Sequence, residues 1–175
     1  SVTKNMGQGR GADDSSVSNA SCSERRSSSV DAHPLASLIR EHELIGPLAE
    51  GLARFAEGVL AEAFGAASER AELVQFVRVF TELADCVHHE KEEAVLLPFL
   101  CRHGFEWTDG PLAEVRREHR QERYLIDVLC QAAAREETWN HEERRRIVDT
   151  ATALAEFQRD HLSKENTLLF PAVMS

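Results

Sequence analysis

A chain of 175 residues with 42% hydrophobic and 29% charged side chains can bury a full core and has the balance of a globular domain. Its formal charge of −10 leaves no basic face for phosphates, which excludes nucleic acid and anionic membrane as partners, and no apolar run approaches the ~18 residues of a membrane span. Four cysteines, Cys22, Cys86, Cys101 and Cys130, lack C-x-x-C or zinc-finger spacing and read as the reduced thiols of a cytoplasmic protein.

Residues 1–32 hold nine Ser, four acidic and four basic residues and almost no large apolar side chain. Such a segment buries too little surface to offset its ordering entropy, so a disordered tail is expected, with no secretory signal. A single domain is expected over residues 33–175. Leu35, Leu38, His42, Ile45, Leu48, Leu52, Phe55 and Val59 advance by threes and fours, which predicts a first helix to about residue 63. Gly65 to Ser68 reads as a link, with Ser68 as N-cap. Leu73, Phe76, Phe80, Leu83, Val87 and Val95 predict a second helix, which Pro98 should kink or end because it lacks the N–H.

His103-Gly104 and Asp109-Gly110-Pro111 mark a loop, with Pro111 suited to a first helical position. Leu112, Val115, His119, Ile126, Leu129 and Ala133 predict a third helix. Asn140 is a good N-cap for a fourth, on which Ile147, Leu154, Phe157, His161, Glu165 and Leu168 share a stripe running to Pro171. Four helices with short links predict an all-α, up-down-up-down bundle.

The chain repeats itself. His88-His89-Glu90-Lys91-Glu92-Glu93-Ala94-Val95-Leu96-Leu97-Pro98 returns as His161-Leu162-Ser163-Lys164-Glu165-Asn166-Thr167-Leu168-Leu169-Phe170-Pro171, keeping the first His, the Lys, the Glu, one Leu and the Pro. Pro34 to His42 returns as Pro111 to His119 with six of nine positions identical. The bundle therefore reads as one helical hairpin written twice. On a helix, residues i and i+4 share a face, so His88 with Glu92 and His161 with Glu165 each present an imidazole beside a carboxylate. His42 and His119 lie about 12 Å below their helix starts, level with those pairs, by 1.5 Å per residue. Four imidazoles and two carboxylates converge on an apolar stripe, where an unpaired carboxylate costs several kcal/mol. A metal site accounts for all six.

The order Glu41-His42, His88-x-x-x-Glu92…Leu97-Pro98, Glu118-His119, His161-x-x-Lys164-Glu165-Asn166…Phe170-Pro171 resembles the hemerythrin-like, or HHE cation-binding, domain over about residues 33–173. The resemblance implies a four-helix bundle with two non-haem iron ions joined by an oxygen bridge, held by His42, His88, Glu92, His119, His161 and Glu165. Imidazole with carboxylate suits iron, manganese or zinc. A ferritin-like site would need Glu-x-x-His, which does not occur. Oxygen-carrying hemerythrins use a fifth histidine with no match here. An ideal helix turns His89 and Glu93 about 100° from His88 and Glu92, onto the flank. Glu122, where the first repeat has Ile45, is the best spare donor but otherwise reads as a solvated charge. Lys91 and Lys164 read as solvated or supporting groups, His103 and His141 as surface residues, and Tyr124 as remote from the metal.

The implied function is binding of O₂, NO or peroxide at a di-iron centre, as sensor, scavenger or store. Two competing readings are a di-iron enzyme or iron-delivery and repair factor, and an interaction module with a structural ion such as zinc. A protein partner or a homo-oligomer would carry any signal.

Overall fold

The computed structural model describes residues 34–63 and 65–174. The expected tail, residues 1–32, lies outside them. The described residues are helical with no strand, in four rods. The first, α1, is Pro34–Leu60. The second, α2, runs without a break from Ala66–Val79 through π-helical Phe80–His89 and Glu92–Leu96 to Leu97–Arg102. The third, α3, is Gly110–Ala133, and the fourth, α4, runs from His141–Lys164 through π-helical Glu165–Leu169 to Phe170–Met174.

Local chemistry explains most of the boundaries. Asn140 caps α4 in a reciprocal box with Glu143, each satisfying the other's backbone N–H at 2.9–3.0 Å. Asp109 caps α3, and Pro111 lies in its first turn. Gly104 and Gly110, at φ 96° and 67°, take the left-handed turns of the intervening loop that side chains resist. Ser68 does not cap α2: the helix starts at Ala66, behind Gly65, so Ser68 lies within the first turn.

The prolines do not end their helices. Pro98 and Pro171 each follow a π-turn, Glu92–Leu96 and Glu165–Leu169, and the helix continues to Arg102 and Met174. A π-turn bonds i to i+5 instead of i+4, which puts one extra residue into the turn and advances the facing of everything after it. That is why Val95 and Leu168, expected on the buried stripe, are exposed by half or more, while Leu96 and Leu169, one residue later, are buried. Val87, inside the longer π segment, is likewise turned outward. The two repeats miss the ideal-helix expectation at matching positions, so the π-turn is itself a repeated feature.

Two apolar clusters result. The larger packs Ile45, Leu52, Phe55, Leu73, Phe80, Leu129, Ile147 and Leu154. The smaller packs Leu35, Leu38, Leu97, Leu100, Leu112, Val115, Leu169 and Phe170. Helix α1 lies along α4, α3 along α4 and α2, and the π segment of α2 along α1. Deep in the larger end, the buried Glu69 is paired by Arg144 at 2.7 Å, linking α2 to α4. Between the two clusters lies a polar layer.

Candidate metal centre

All six residues expected from the sequence meet in that layer. His88, Glu92, His119 and Glu165 have no exposed surface, His161 has 1% and His42 has 7%. Their inward atoms crowd together. Nε2 of His42 lies 3.2 Å from Nε2 of His88 and 3.2 Å from Oε2 of Glu165. Nε2 of His161 lies 3.2 Å from the other oxygen of Glu165, and Nε2 of His119 lies 3.2 Å from Oε2 of Glu92. Nε2 of His88 stands 3.7 Å from each of the two carboxylates.

The outward nitrogens fix what the inward ones can do. Nδ1 of His88 donates to Glu41 at 3.2 Å, Nδ1 of His161 to Glu118 at 2.9 Å, Nδ1 of His119 to Glu93 at 2.7 Å and Nδ1 of His42 to Asn166 Oδ1 at 3.0 Å. Every one of these acceptors holds a proton on Nδ1, so a ring that gives up its second proton to a metal turns a lone pair inward at Nε2. This is how metal-ligating histidines are oriented and made more basic. Behind the carboxylates stand cations: Lys91 on Glu41, Lys164 on Glu118, and Arg123 at 2.9 Å from Glu93. The repeated Glu-His pair and the repeated Lys of the sequence thus form one device, a lysine holding a glutamate that holds the histidine of the next helix.

The electrostatics follow. Burial would raise the Glu41 carboxyl, but hydrogen bonds from His88 and Lys91 outweigh it and hold it at about 2. Glu118 is lowered against its burial by His161 and Lys164, and the hydrogen bond from His119 holds Glu93 at about 2. Burial disfavours the His88 imidazolium, yet Glu165 and Glu41 lift the ring to about 9. Glu165 stays well below the usual carboxylate range despite burial, because His161 and His42 face it. The raised imidazoles of His88, His89 and His161 do here what a cation would do.

Two residues depart from the expectation. His89 is not on the flank: it is fully buried, its ring stacked on His119 with centroids 3.9 Å apart. The cause is the π segment Phe80–His89, whose wider turn lets neighbours His88 and His89 both face inward. Glu122 is not a solvated charge. It is fully buried, 3.2 Å from Nε2 of His89, and Gln158, with its amide nitrogen turned inward, donates to both its oxygens at 2.7 Å. The spacing hides His89, because an α-helical wheel places no adjacent pair on one face, whereas Glu122 lies on the face of His119, one turn on, and only its burial goes unannounced. Glu93 does lie half out, as the flank position predicts, but it serves His119. Tyr124 is exposed.

The donor set fits a metal. Both oxygens of Glu92, both of Glu165, and Nε2 of His119 and His161 are buried without a hydrogen-bond partner. Buried polar atoms are rarely left so, and an ion is one of the few groups able to satisfy six at once. Ligand atoms of His42, His88, Glu92 and Glu165 lie within 4.8 Å of one another, as do those of Glu92, His119, His161 and Glu165. Two overlapping sets share the two carboxylates.

The hemerythrin HHE cation-binding domain matches residues 60–173 of the chain. This protein belongs to that family. The match begins after most of α1, so His42 stands outside it, on the sequence repeat and its geometry. Searches of curated proteins and of solved structures found no match. The HHE domain is by description a cation binder, and the His/Glu clusters here could hold one. Among the described residues no helix is long and apolar enough to cross a membrane.

Proposed function

We propose that this HHE protein holds two iron ions at His42, His88, Glu92, His119, His161 and Glu165, and binds O₂, NO or peroxide there as a sensor, scavenger or store. The observation that carries the reading is Glu165, whose two oxygens face different histidines, one toward His42 and His88 and the other toward His161. A carboxylate placed so serves two ions, and Glu92 reaches both His88 and His119. Two imidazoles and two shared carboxylates per ion suit iron and leave room for a small ligand. In this reading the two hairpins run up-down-up-down, which is what sets the four histidines at one level.

Bound iron would supply redox change and an open coordination position. The chain's own residues do the rest. Glu41, Glu118, Glu93 and Asn166 hold the four rings with Nε2 inward, and Lys91, Lys164 and Arg123 keep the three carboxylates ionised. Leu97, Leu100, Leu169 and Phe170 on one side, with Ala84, Ile126 and Leu154 on the other, exclude water along the bundle axis. Phe170, stacked on His42 at 4.9 Å, closes the layer beside the least buried ring.

Metal analysis with an absorption spectrum tests this. Protein expressed with iron available should carry about two irons per chain and absorb in the near-ultraviolet, and NO added to the reduced form should change the spectrum. One metal per chain, or zinc alone after iron-replete expression, would reject the di-iron reading in favour of a structural ion.

A further inference from the structure

The repeat leads one to expect matching side chains on the α2–α3 face and the α4–α1 face, and they do not match. In the register that pairs His88 with His161 and His42 with His119, Asp85, His89, Glu90 and Glu93 correspond to Gln158, Leu162, Ser163 and Asn166. Glu122 and Arg123 correspond to Ile45 and Gly46. One face is lined with carboxylates, an imidazole and a guanidinium at the positions where its counterpart is uncharged.

On the charged face lies an open cleft of about 420 Å³, lined by Asp85, Cys86, Glu90, Glu93, Ala94 and Arg123. Its inner wall touches the centre twice. Glu93 accepts from Nδ1 of His119 at 2.7 Å, and Asp85 lies 3.7 Å from Nδ1 of His89. His89 is fully buried, and neither of its ring nitrogens has a hydrogen-bond partner. On its far side Nε2 is 3.2 Å from Glu122, and its ligand atom lies within 4.8 Å of those of His119 and His161.

We propose that this cleft is the route by which a divalent cation reaches the centre, with Asp85, Glu90 and Glu93 gathering the ion and His89 passing it to His119 and His161. The inference rests on the reading of the centre as a metal site. The mouth carries three carboxylates and one guanidinium, so it attracts a divalent cation and repels anions. Arg123 bridges Asp85 at 2.6 Å and Glu93 at 2.9 Å, and is itself partly exposed. It sits between the two carboxylates where an arriving ion would bind, and it can swing into water as the ion replaces it. The ion then passes from carboxylate oxygens to the imidazole of His89, with Glu122 balancing its charge, and on to the four-residue sets beyond. This gives the buried imidazole and the buried carboxylate outside the six ligands a use.

The other faces offer less. Lys91 with Glu41 spans α1 and α2, and Lys164 with Glu118 spans α3 and α4, so a cation there meets an ammonium group. The α4–α1 face presents neutral Asn166 beside His42. The two apolar clusters close the ends.

The test is the rate of ferrous iron uptake by chelator-stripped full-length protein under anaerobic conditions, quenched with a chromogenic chelator, alongside final iron content. Asp85→Asn with Glu90→Gln should slow uptake about tenfold and weaken its salt dependence, within the range of electrostatic steering. Ala94→Phe, a plug in the cleft that changes no charge, should slow uptake comparably. Gly46→Phe, on the opposite face where an added Cβ meets nothing within 4 Å, should leave the rate as in the parent. Final content should be two irons in all of them. Unchanged rates in the first two variants, or slowing by Gly46→Phe alone, would overturn the proposed route while leaving the centre intact. A parent protein that takes up no iron would overturn the centre and the route together.

Discussion

His88 and His161 are treated alike by the fold, and His42 and His119 are not. The first two are each backed by a glutamate from the preceding helix, and that glutamate is held by the lysine three residues after the histidine. His119 is backed by Glu93 and Arg123, whereas its counterpart His42 has only the amide of Asn166. The four rings thus share one orientation, but a carboxylate stands behind only three. A carboxylate-backed imidazole is the stronger donor. In the proposed centre, the rings on the His119–His161 side would therefore be firmer donors than those on the His42–His88 side.

The largest effect that can test the symmetry comes from the shared carboxylates. Glu165→Ala and Glu92→Ala should each reduce iron from two per chain to one or fewer, measured by metal analysis, since each faces both histidine pairs. A variant that keeps two irons would show that its carboxylate is not shared. Next come the neighbours on α2. His88→Ala should lose metal while His89→Ala retains it at equilibrium, and the reverse outcome would mean that His89, not His88, is the ligand.

The backing residues should give smaller, graded losses. Glu41→Gln and Glu118→Gln should each weaken metal affinity by about 10- to 100-fold and by similar factors, as is typical for partners of ligating histidines. Glu93→Gln should cost more than Asn166→Ala, read by competition with a chelator of known affinity. Equal losses at those two positions would remove the proposed asymmetry.

The smallest effect concerns pH. With metal removed, His88 and His89 are raised to about 9 and about 10 from an ordinary 6.5, and Glu41 and Glu93 are lowered to about 2 from 4.5. A raised histidine contributes stability fully below its unfolded pKa and loses it as pH rises through the folded one. A lowered carboxyl contributes above its unfolded pKa and loses it as pH falls through the folded one. The stripped protein should therefore melt lower at pH 10 than at pH 6, and lower again near pH 2. Iron-loaded protein should lose less between pH 6 and pH 10, since its imidazoles are already neutral.

The polar layer is legible because its histidines and glutamates recur at helical spacing in two copies, and a repeat of six unusual groups leaves few alternatives. The core stripes of α1 and α3 were legible for the same reason, being regular α-helix throughout. What spacing missed lies at or beyond a π segment. Val95, Leu168 and His89 were each placed on the wrong side by a wheel that assumes 3.6 residues per turn. Glu122 was missed because a lone acidic residue carries no sign of the buried Gln158 and His89 that receive it. The partners of the buried histidines are half visible: Glu41, Glu118, Lys91 and Lys164 repeat in the sequence, but which histidine each serves depends on helix pairing.

The most direct test of the centre is a crystal structure of the iron-loaded protein with anomalous diffraction at the iron edge. Two iron peaks should appear, one bounded by His42 and His88 and the other by His119 and His161, with Glu92 and Glu165 between them. A single peak among His89, His119 and His161 would contradict the shared-carboxylate centre.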